Sequence, residues 1–537
     1  MYVCYDLKGI QRFIFSVPKL KCVVGASGMI DRFDRESRHY ATAAGGQWIF
    51  SGGGRGAFSC PDHQSAEHLE RQLVSAAHAI GLDIRIGIEP SLSQAAHHAD
   101  RLHAFCPENL DGQPCSASGL WPTPSGRPHP LVQLRYASAR EDYLGQRILH
   151  ALGQEDQLQK TLAQYSLAFF KNVNPQPDGD ELEDSRDVEE AEAAQRSLGK
   201  RNRWAIIAMD GNDMGRQFQA FESQQHPDGQ REDRTRQWLS TMSQRLRECT
   251  EQAFFSALTS VICQWAENVV DWEDCVVGPM AGGKKPTLML PFRPLILGGD
   301  DVILLCHTAY AMSFVKKMAQ EFQQQSKQAA ASSAIQPLWP ATGDQLTISA
   351  GVLYAKVTFP LHSGIRYAES LLASAKGRFR ADPNTTQPTS AAVDWDTVTD
   401  SLVDTPAARR NRELRFHDPE LDREIQLTRR PYLLNAESDG ADLQSLEEWK
   451  AQLARVPRSV RATLLPGLQQ PWSKRVAFTA SVAKGHAFLW DQLREDSHEL
   501  GEAWSRLNEK DVQVTGLPDA LLLLDEEHRL SQAEDYE

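Results

Sequence analysis

Two stretches of the chain carry the same succession of hydrophobic and polar positions. The first opens on apolar residues running to Asp6, followed by a turn and a helical stretch from Lys8 to Val17. An apolar run, Trp48-Ile49-Phe50, enters Ser51-Gly52-Gly53-Gly54-Arg55-Gly56 and leaves through Ala57-Phe58. Ala66, Leu69, Leu73, Ala76, Ala77 and Ile80 recur at helical spacing, and Asp83 to Glu89 alternates as a half-buried strand does. The second stretch repeats this order. Trp204 to Met209 is an apolar strand ending at Asp210, with Gly211-Asn212-Asp213-Met214-Gly215 after it. Leu239, Met242, Leu246, Cys249 and Ala253 form one stripe of a long amphipathic helix. Leu295-Ile296-Leu297 runs into Gly298-Gly299-Asp300-Asp301, and Val302 to Cys306 runs out again. Ala311, Phe314, Val315, Met318 and Phe322 mark another helix, Leu346 to Val357 a strand, and Ile365, Ala368, Leu371, Leu372 and Ala375 a last helix.

Strand, helix, strand, hairpin, helix, strand is the split βαβ order of a ferredoxin-like palm. The expected fold class is α+β: two ferredoxin-like palms at residues 1–125 and 201–385, a helical connector with an acidic linker at 126–200, and a C-terminal α-helical domain at 386–537. The linker segment Asp178 to Glu192 holds nine acidic residues and one arginine. Its carboxylate spacing does not suit a calcium loop, and it is expected to be disordered. Pro383 to Pro388 is expected to form a loop closing the second palm.

Composition narrows the function classes. The chain has 537 residues, 41% of them hydrophobic and 24% charged, which are ordinary globular values. Its net charge of −14 argues against gripping nucleic acid through bulk electrostatics. The basic run Arg409-Arg410-Asn411-Arg412 is expected to be a solvated helix end. No apolar run approaches a membrane span, the first residues do not look like an export signal, and nine scattered cysteines suit reduced thiols. A cytoplasmic location without membrane attachment is expected.

The informative chemistry is Asp210 together with Gly298-Gly299-Asp300-Asp301. An Asp ending one strand and a pair at an adjacent hairpin converge at one sheet edge. Three carboxylates so placed repel one another unless a divalent cation neutralises them, and hard oxygen ligands select Mg²⁺ or Mn²⁺. Two such ions would activate an attacking hydroxyl and stabilise departing pyrophosphate. The glycines leave room for a triphosphate to approach backbone N–H groups. A bare Gly-Gly-Asp-Asp is also a good hairpin turn, but here it is flanked by apolar strands and preceded by a strand-terminal Asp.

The stretches PFRPLILGGDDVILLC, AIIAMDGNDMGRQF and LTISAGVLYAKVTFPLHSGIRYAESLLASAKGR resemble the second palm of the large subunit of type III CRISPR effector complexes. DLKGIQRFIF, GASGMIDRF and FSGGGRGAF resemble the first palm of that family, whose palms are similar to GGDEF cyclases. The resemblance implies conversion of ATP to cyclic oligoadenylate second messengers, with two Mg²⁺ or Mn²⁺ ions. By motif, Asp210 and Asp301 would bind metal, with Asp300 as partner and the Gly211 carbonyl contributing. Ser349 and Lys376 would line the nucleotide pocket alongside Gly298 and Gly299. Guide RNA and other type III effector subunits are the implied partners. The family usually has Asp where this chain has Asn212, and Asp213 beside it would either open a helix or assist the metal.

The first palm has Gly53-Gly54-Arg55 where the carboxylates would stand, so it is expected to be non-catalytic. Its Gly52 and Gly53 turn would still hold a second nucleotide, with Asp6 as a relic or structural cap. The family's HD nuclease is expected to be missing, and with it DNA cleavage, since His417-Asp418 lacks companions. Cys106 and Cys115, with His103, resemble a zinc knuckle too incomplete for a tetrahedral site. Two alternatives remain: a structural subunit of an RNA-guided complex, and a stand-alone defence cyclase making a dinucleotide.

Overall fold

The computed structural model describes residues 1–17, 19–101, 113–114, 122–123, 130–171, 173, 185–198, 203–223, 231–268, 272–278, 285–380, 391–399, 404–434, 443–486, 504–507 and 512–527. The first palm runs β1 (Tyr2–Lys8), α1 (Ile10–Phe15), α2 (Leu20–Ala43), β2 (Gln47–Gly52), β3 (Arg55–Ser59), α3 (His63–Ala79), β4 (Asp83–Glu89) and α4 (Leu92–Arg101). Its antiparallel sheet has the order β2-β3-β1-β4. Helix α2 was not evident from periodicity because its first half is buried on all sides. Small residues there admit the helix α5 (Pro130–Glu141): a Cβ on Gly25 would sit 1.9 Å from the Arg135 carbonyl oxygen.

The connector continues with the short pair β5 (Gln113–Pro114) and β6 (Pro122–Thr123), then α6 (Tyr143–Leu152), α7 (Asp156–Leu162), β7 (Ser166–Phe169) and α8 (Ser185–Ser197). Part of the segment expected to be disordered is therefore helical. Ala191, Ala193 and Ala194 of α8 turn inward and are buried while Glu189 and Glu192 face water. Residues 178–184 lie outside the described residues, as does the loop at 383–388.

The second palm comprises β8 (Arg203–Gly211), α9 (Met214–Glu222), α10 (Arg231–Asn268), β9 (Val276–Val277), β10 (Thr287–Leu290), β11 (Phe292–Gly298), β12 (Asp301–Cys306), α11 (Ala311–Ser332), β13 (Ile348–Lys356) and α12 (Leu361–Arg380). Its sheet order, β11-β12-β8-β13, repeats that of the first palm with the same antiparallel pairings. Alternation across the sheet sorts its side chains. Ala205, Ile207 and Met209 pack in one cluster with α10 and α11, whereas Ile206 and Ala208 join α12 and the first palm in another. The two palms thus share a continuous apolar core. Asp210 has the parity of Ile206 and Ala208, and so belongs to the face turned toward the first palm.

Past residue 386 the expected helices are present as α13 (Pro406–Glu413), α14 (Leu443–Ala454), α15 (Arg458–Leu468), α16 (Trp472–Ala483) and α17 (Leu517–Glu527). Strands accompany them. β14 (Ala392–Thr397) joins the palm sheet parallel to β13, and β17 (Tyr432–Leu433) pairs antiparallel outside it. β15 (Arg415–Asp418), β16 (Arg423–Gln426), β18 (Trp504–Leu507) and β19 (Val512–Thr515) build a sheet of order β15-β16-β19-β18. Buried ion pairs hold this region together, Arg410 on Asp394 of β14 and Arg430 on Asp519 of α17 at 2.9 Å, and Arg203 of β8 ties it to the palm through Glu526 of α17 at 3.1 Å. Among the described residues no helix is long and apolar enough to cross a membrane.

Candidate active site

Two strands and one turn assemble the site. Met209 of β8 stands opposite Val302 of β12, so Asp210 and Asp301 fall at the same sheet edge. Gly298 pairs with Asp301 across the hairpin, and Gly299 takes φ 64°, a conformation that costs little only without a Cβ. Close approach also requires Gly211: a Cβ there would sit 2.8 Å from Asp300 Oδ2 and 3.1 Å from Met214 Cε. The three carboxyl groups are therefore crowded together by backbone geometry.

Their electrostatics follow. Burial first, then the Asp210 and Asp301 charges, push Asp300 well above the usual carboxylate range. Asp301 keeps an open face to solvent, yet enclosure of the rest of its carboxyl, and then Asp210, raise it to about 7. Lys376 opposes this rise. Its ammonium pairs with Asp210 and donates to the Gly211 carbonyl at 2.8 Å. Helix α12 brings it there by lying close on β13, where a Cβ on Gly351 would be 2.1 Å from the Ala368 carbonyl oxygen.

The structure brings Asp210, Gly211, Gly298, Gly299, Asp300, Asp301 and Lys376 together. Ser349 lies opposite Asp210 in the register, but it is fully buried and its Oγ accepts the Ala392 N–H at 3.2 Å. It fastens β14 to β13. Asn212 is buried and turned to Thr347, whose Oγ1 accepts from its Nδ2 at 2.9 Å. Asp213 adopts φ 58° at the N-cap of α9 and pairs with Arg216 at 3.1 Å. His417 and Asp418 lie on β15, with Asp418 accepting from Arg475 at 3.1 Å. Cys106, Cys115 and His103 lie outside the described residues.

A cleft of about 240 Å³ opens from this edge between the palms, lined by Gln11, Asp34, Gly53, Gly298, Asp301 and Glu369 among others. The two glycine turns face each other, with the Gly53 nitrogen 3.9 Å from where a Gly298 Cβ would be. Gln11 of the first palm donates to Glu369 of α12 at 2.6 Å across the gap. Asp34 was not anticipated, although an acid among the buried positions Ile30, Phe33 and Ser37 of α2 is a readable signal. It accepts from Tyr5 Oη at 2.8 Å and from the Gly54 N–H at 3.0 Å, and burial raises it to about 6.

The corresponding edge of the first palm is neutralised from within. Arg55 stands opposite Asp6 and pairs with it at 3.4 Å, Lys8 pairs with Asp6 as well, and Asp100 meets both cations. In the second palm, no three His, Cys, Asp or Glu side chains among the described residues stand ready-arranged around a metal; the Lys376 ammonium is beside Asp210 instead. The donor set nevertheless suits a hard divalent cation. Crowded carboxylates and the Gly211 carbonyl are oxygen ligands, and their mutual repulsion is what a cation would relieve.

Comparison with known proteins places part of this geometry in a family. Residues 203–382 match the Cas10/Cmr2 second palm domain. No curated protein matches the chain. Similar solved structures include a Csm1-Csm4 cassette in complex with cA4, at 12% identity and TM-score 0.43, covering 98% of this chain and 69% of that one. The apo Csm1-Csm4 cassette gives the same values. The cassette in complex with AMPPNP matches at 13% identity and TM-score 0.35, covering 70% of this chain and 53% of that one. Residues 203–382 of this 537-residue chain are thus similar to the second palm domain of Cas10/Cmr2 proteins.

Proposed function

We propose that the chain is a nucleotidyl transferase that joins ATP into cyclic oligoadenylates, releasing pyrophosphate, in type III CRISPR-like antiviral defence. The observation that carries this reading is the crowding of Asp210, Asp300 and Asp301 at a glycine hairpin beside Lys376. Asp210, Asp300, Asp301 and the Gly211 carbonyl would hold Mg²⁺ or Mn²⁺. When bound, such ions polarise phosphate oxygens and lower the pKa of the attacking hydroxyl. Lys376 would exchange Asp210 for the triphosphate, adding a point charge where negative charge builds. The Gly298-Gly299 backbone leaves room for phosphate, and the facing Gly52-Gly53 turn positions the second nucleotide. The 3′-oxygen of one ATP then bonds to the α-phosphorus of the other. The bond from that phosphorus to the bridging oxygen breaks, and pyrophosphate leaves with both electrons of that bond. The hydroxyl proton passes to solvent. Two palms in one chain make the encounter intramolecular, which raises effective concentration.

The test is incubation of the full chain with ATP and Mg²⁺ or Mn²⁺, with activating RNA present, followed by mass spectrometry. Oligoadenylate and pyrophosphate are expected from the native protein and neither from the Asp300→Ala/Asp301→Ala variant. Absence of product from both overturns the reaction. A second reading, an assembly subunit that binds nucleotide without turnover, is favoured by Asn212, which brings no charge to the site. Nucleotide binding without product in the native protein supports it.

A further inference from the structure

Where α10 passes β2, four arginines meet three carboxyl groups, and the charges do not pair off. Arg35 reaches Glu251 at 3.0 Å and Asp31 at 3.4 Å, and Arg147 reaches the same two at 2.9 and 3.3 Å. Asp34 spends its oxygens on Tyr5 and Gly54. Arg38 and Arg247 are left over. Among the described residues neither guanidinium donates a hydrogen bond to protein or forms an ion pair. Both are nonetheless held in place. The Arg38 guanidinium lies 4.0 Å from the centre of the Trp48 ring. That of Arg247 lies against the first glycine turn, so close that a Cβ on Gly52 would be 2.7 Å from Nη2. Burial first, then Arg247 and Arg35, lower the pKa of Arg38, and burial, then Arg35, lower that of Arg247.

Two fixed guanidiniums with spare donors, beside a turn without side chains, are what a phosphate group requires. Both residues are half-buried, and the Arg38 Nε is enclosed without a hydrogen-bond partner. A chain with net charge −14 has ample carboxylates, yet none is bonded to this pair. We propose that Arg38 and Arg247 form a metal-independent phosphate site at the seam between the palms, taking the phosphate chain of a nucleotide. That the phosphate belongs to a nucleotide rests on the proposed reaction; that the pair takes phosphate does not. Because Arg247 comes from α10 of the second palm and Gly52 from the first, occupancy would clamp the palms together.

The experiment measures equilibrium binding of ATP, inorganic tripolyphosphate and adenosine to the full chain in EDTA. ATP and tripolyphosphate are expected to bind and compete, and adenosine to do neither. Arg38→Ala and Arg247→Ala should each weaken binding on the order of tenfold, as loss of a charge-assisted contact does. Arg247→Lys, which keeps charge and bulk, should retain part of the affinity and guards against a misfolded alanine variant. Undiminished binding in the double alanine variant, or no binding by the native protein, overturns the site. Tripolyphosphate binding much tighter than ATP overturns the nucleotide assignment. Product formation is scored separately with Mg²⁺. Product with unaltered phosphate binding in the double variant sinks only the seam, and seam binding without product sinks only the reaction.

Discussion

The two palms share one strand order and one hairpin register, yet their edges carry opposite chemistry. Gly52 faces Arg55 across the first turn as Gly298 faces Asp301 across the second. Asp6 opposes Arg55 where Asp210 lies beside Asp301, and Gly53 and Gly299 take nearly the same φ of 61° and 64°. The first edge supplies its own cations, Lys8 and Arg55. The second gathers carboxylates and leaves most of the neutralising charge to be brought in. The scaffold is therefore indifferent to the chemistry, which resides in two or three side chains placed on it.

Breaking each edge separately tests this. Asp301→Asn should lower product formation on the order of a thousandfold, the scale on which loss of a preorganised electrostatic group acts, whereas Arg55→Asn should leave it within a few fold; pyrophosphate release measures both. Packing should respond alike in both palms. Gly87 and Gly351 each admit a helix so closely that a Cβ would be 2.1 Å from a helix carbonyl, of Ala95 and Ala368 respectively. Substitution by Val at either should cost about 1–3 kcal/mol in denaturant unfolding.

The pH response sharpens the contrast further. Asp34 and Asp301 have raised values in the folded protein, about 6 and about 7 against an ordinary 3.8. The folded state thus binds more protons than the unfolded state between 3.8 and those values, and stability falls as pH rises through that window. In EDTA, melting temperature should decline from pH 4 to 7. Asp301→Asn should flatten the slope up to about 7, and Asp34→Asn only the part below about 6. The smallest effect is expected from Arg55→Asp. It replaces the half-exposed Arg55–Asp6 pair by like charges while Lys8 still neutralises the buried Asp6, so the cost should be about 1 kcal/mol, read from denaturant unfolding, and no product is expected from this edge. The neighbouring position adds to this: Gly54 has φ 78°, and a Cβ there would be 2.0 Å from Ile10 Cδ1, so an acid there would be strained and would have to displace the Ile10 side chain.

Both palms were legible in the sequence because their strands are apolar runs bounded by glycine turns, and the carboxylates sit at strand ends. The meeting of Asp210 with the hairpin needed only the topology. Other parts were illegible for specific reasons. Strands β15 and β16 are four residues long and mostly polar, so no alternation marks them. The inward alanines of α8 are hidden among acids. The Asn212 bond to Thr347 and the seam of Arg38 and Arg247 join residues more than a hundred positions apart, and only packing reveals them.

The parallel strand β14 covers the flank of β13 with Ala392 through Thr397, using peptide groups that would otherwise face solvent. A fragment that stops at residue 385 would uncover that row, with Ala350, Val352 and Tyr354 losing their neighbours, and bare apolar strands self-associate. Isolating the second palm for study therefore requires carrying the chain through Leu433, so that the outermost strand closes the sheet.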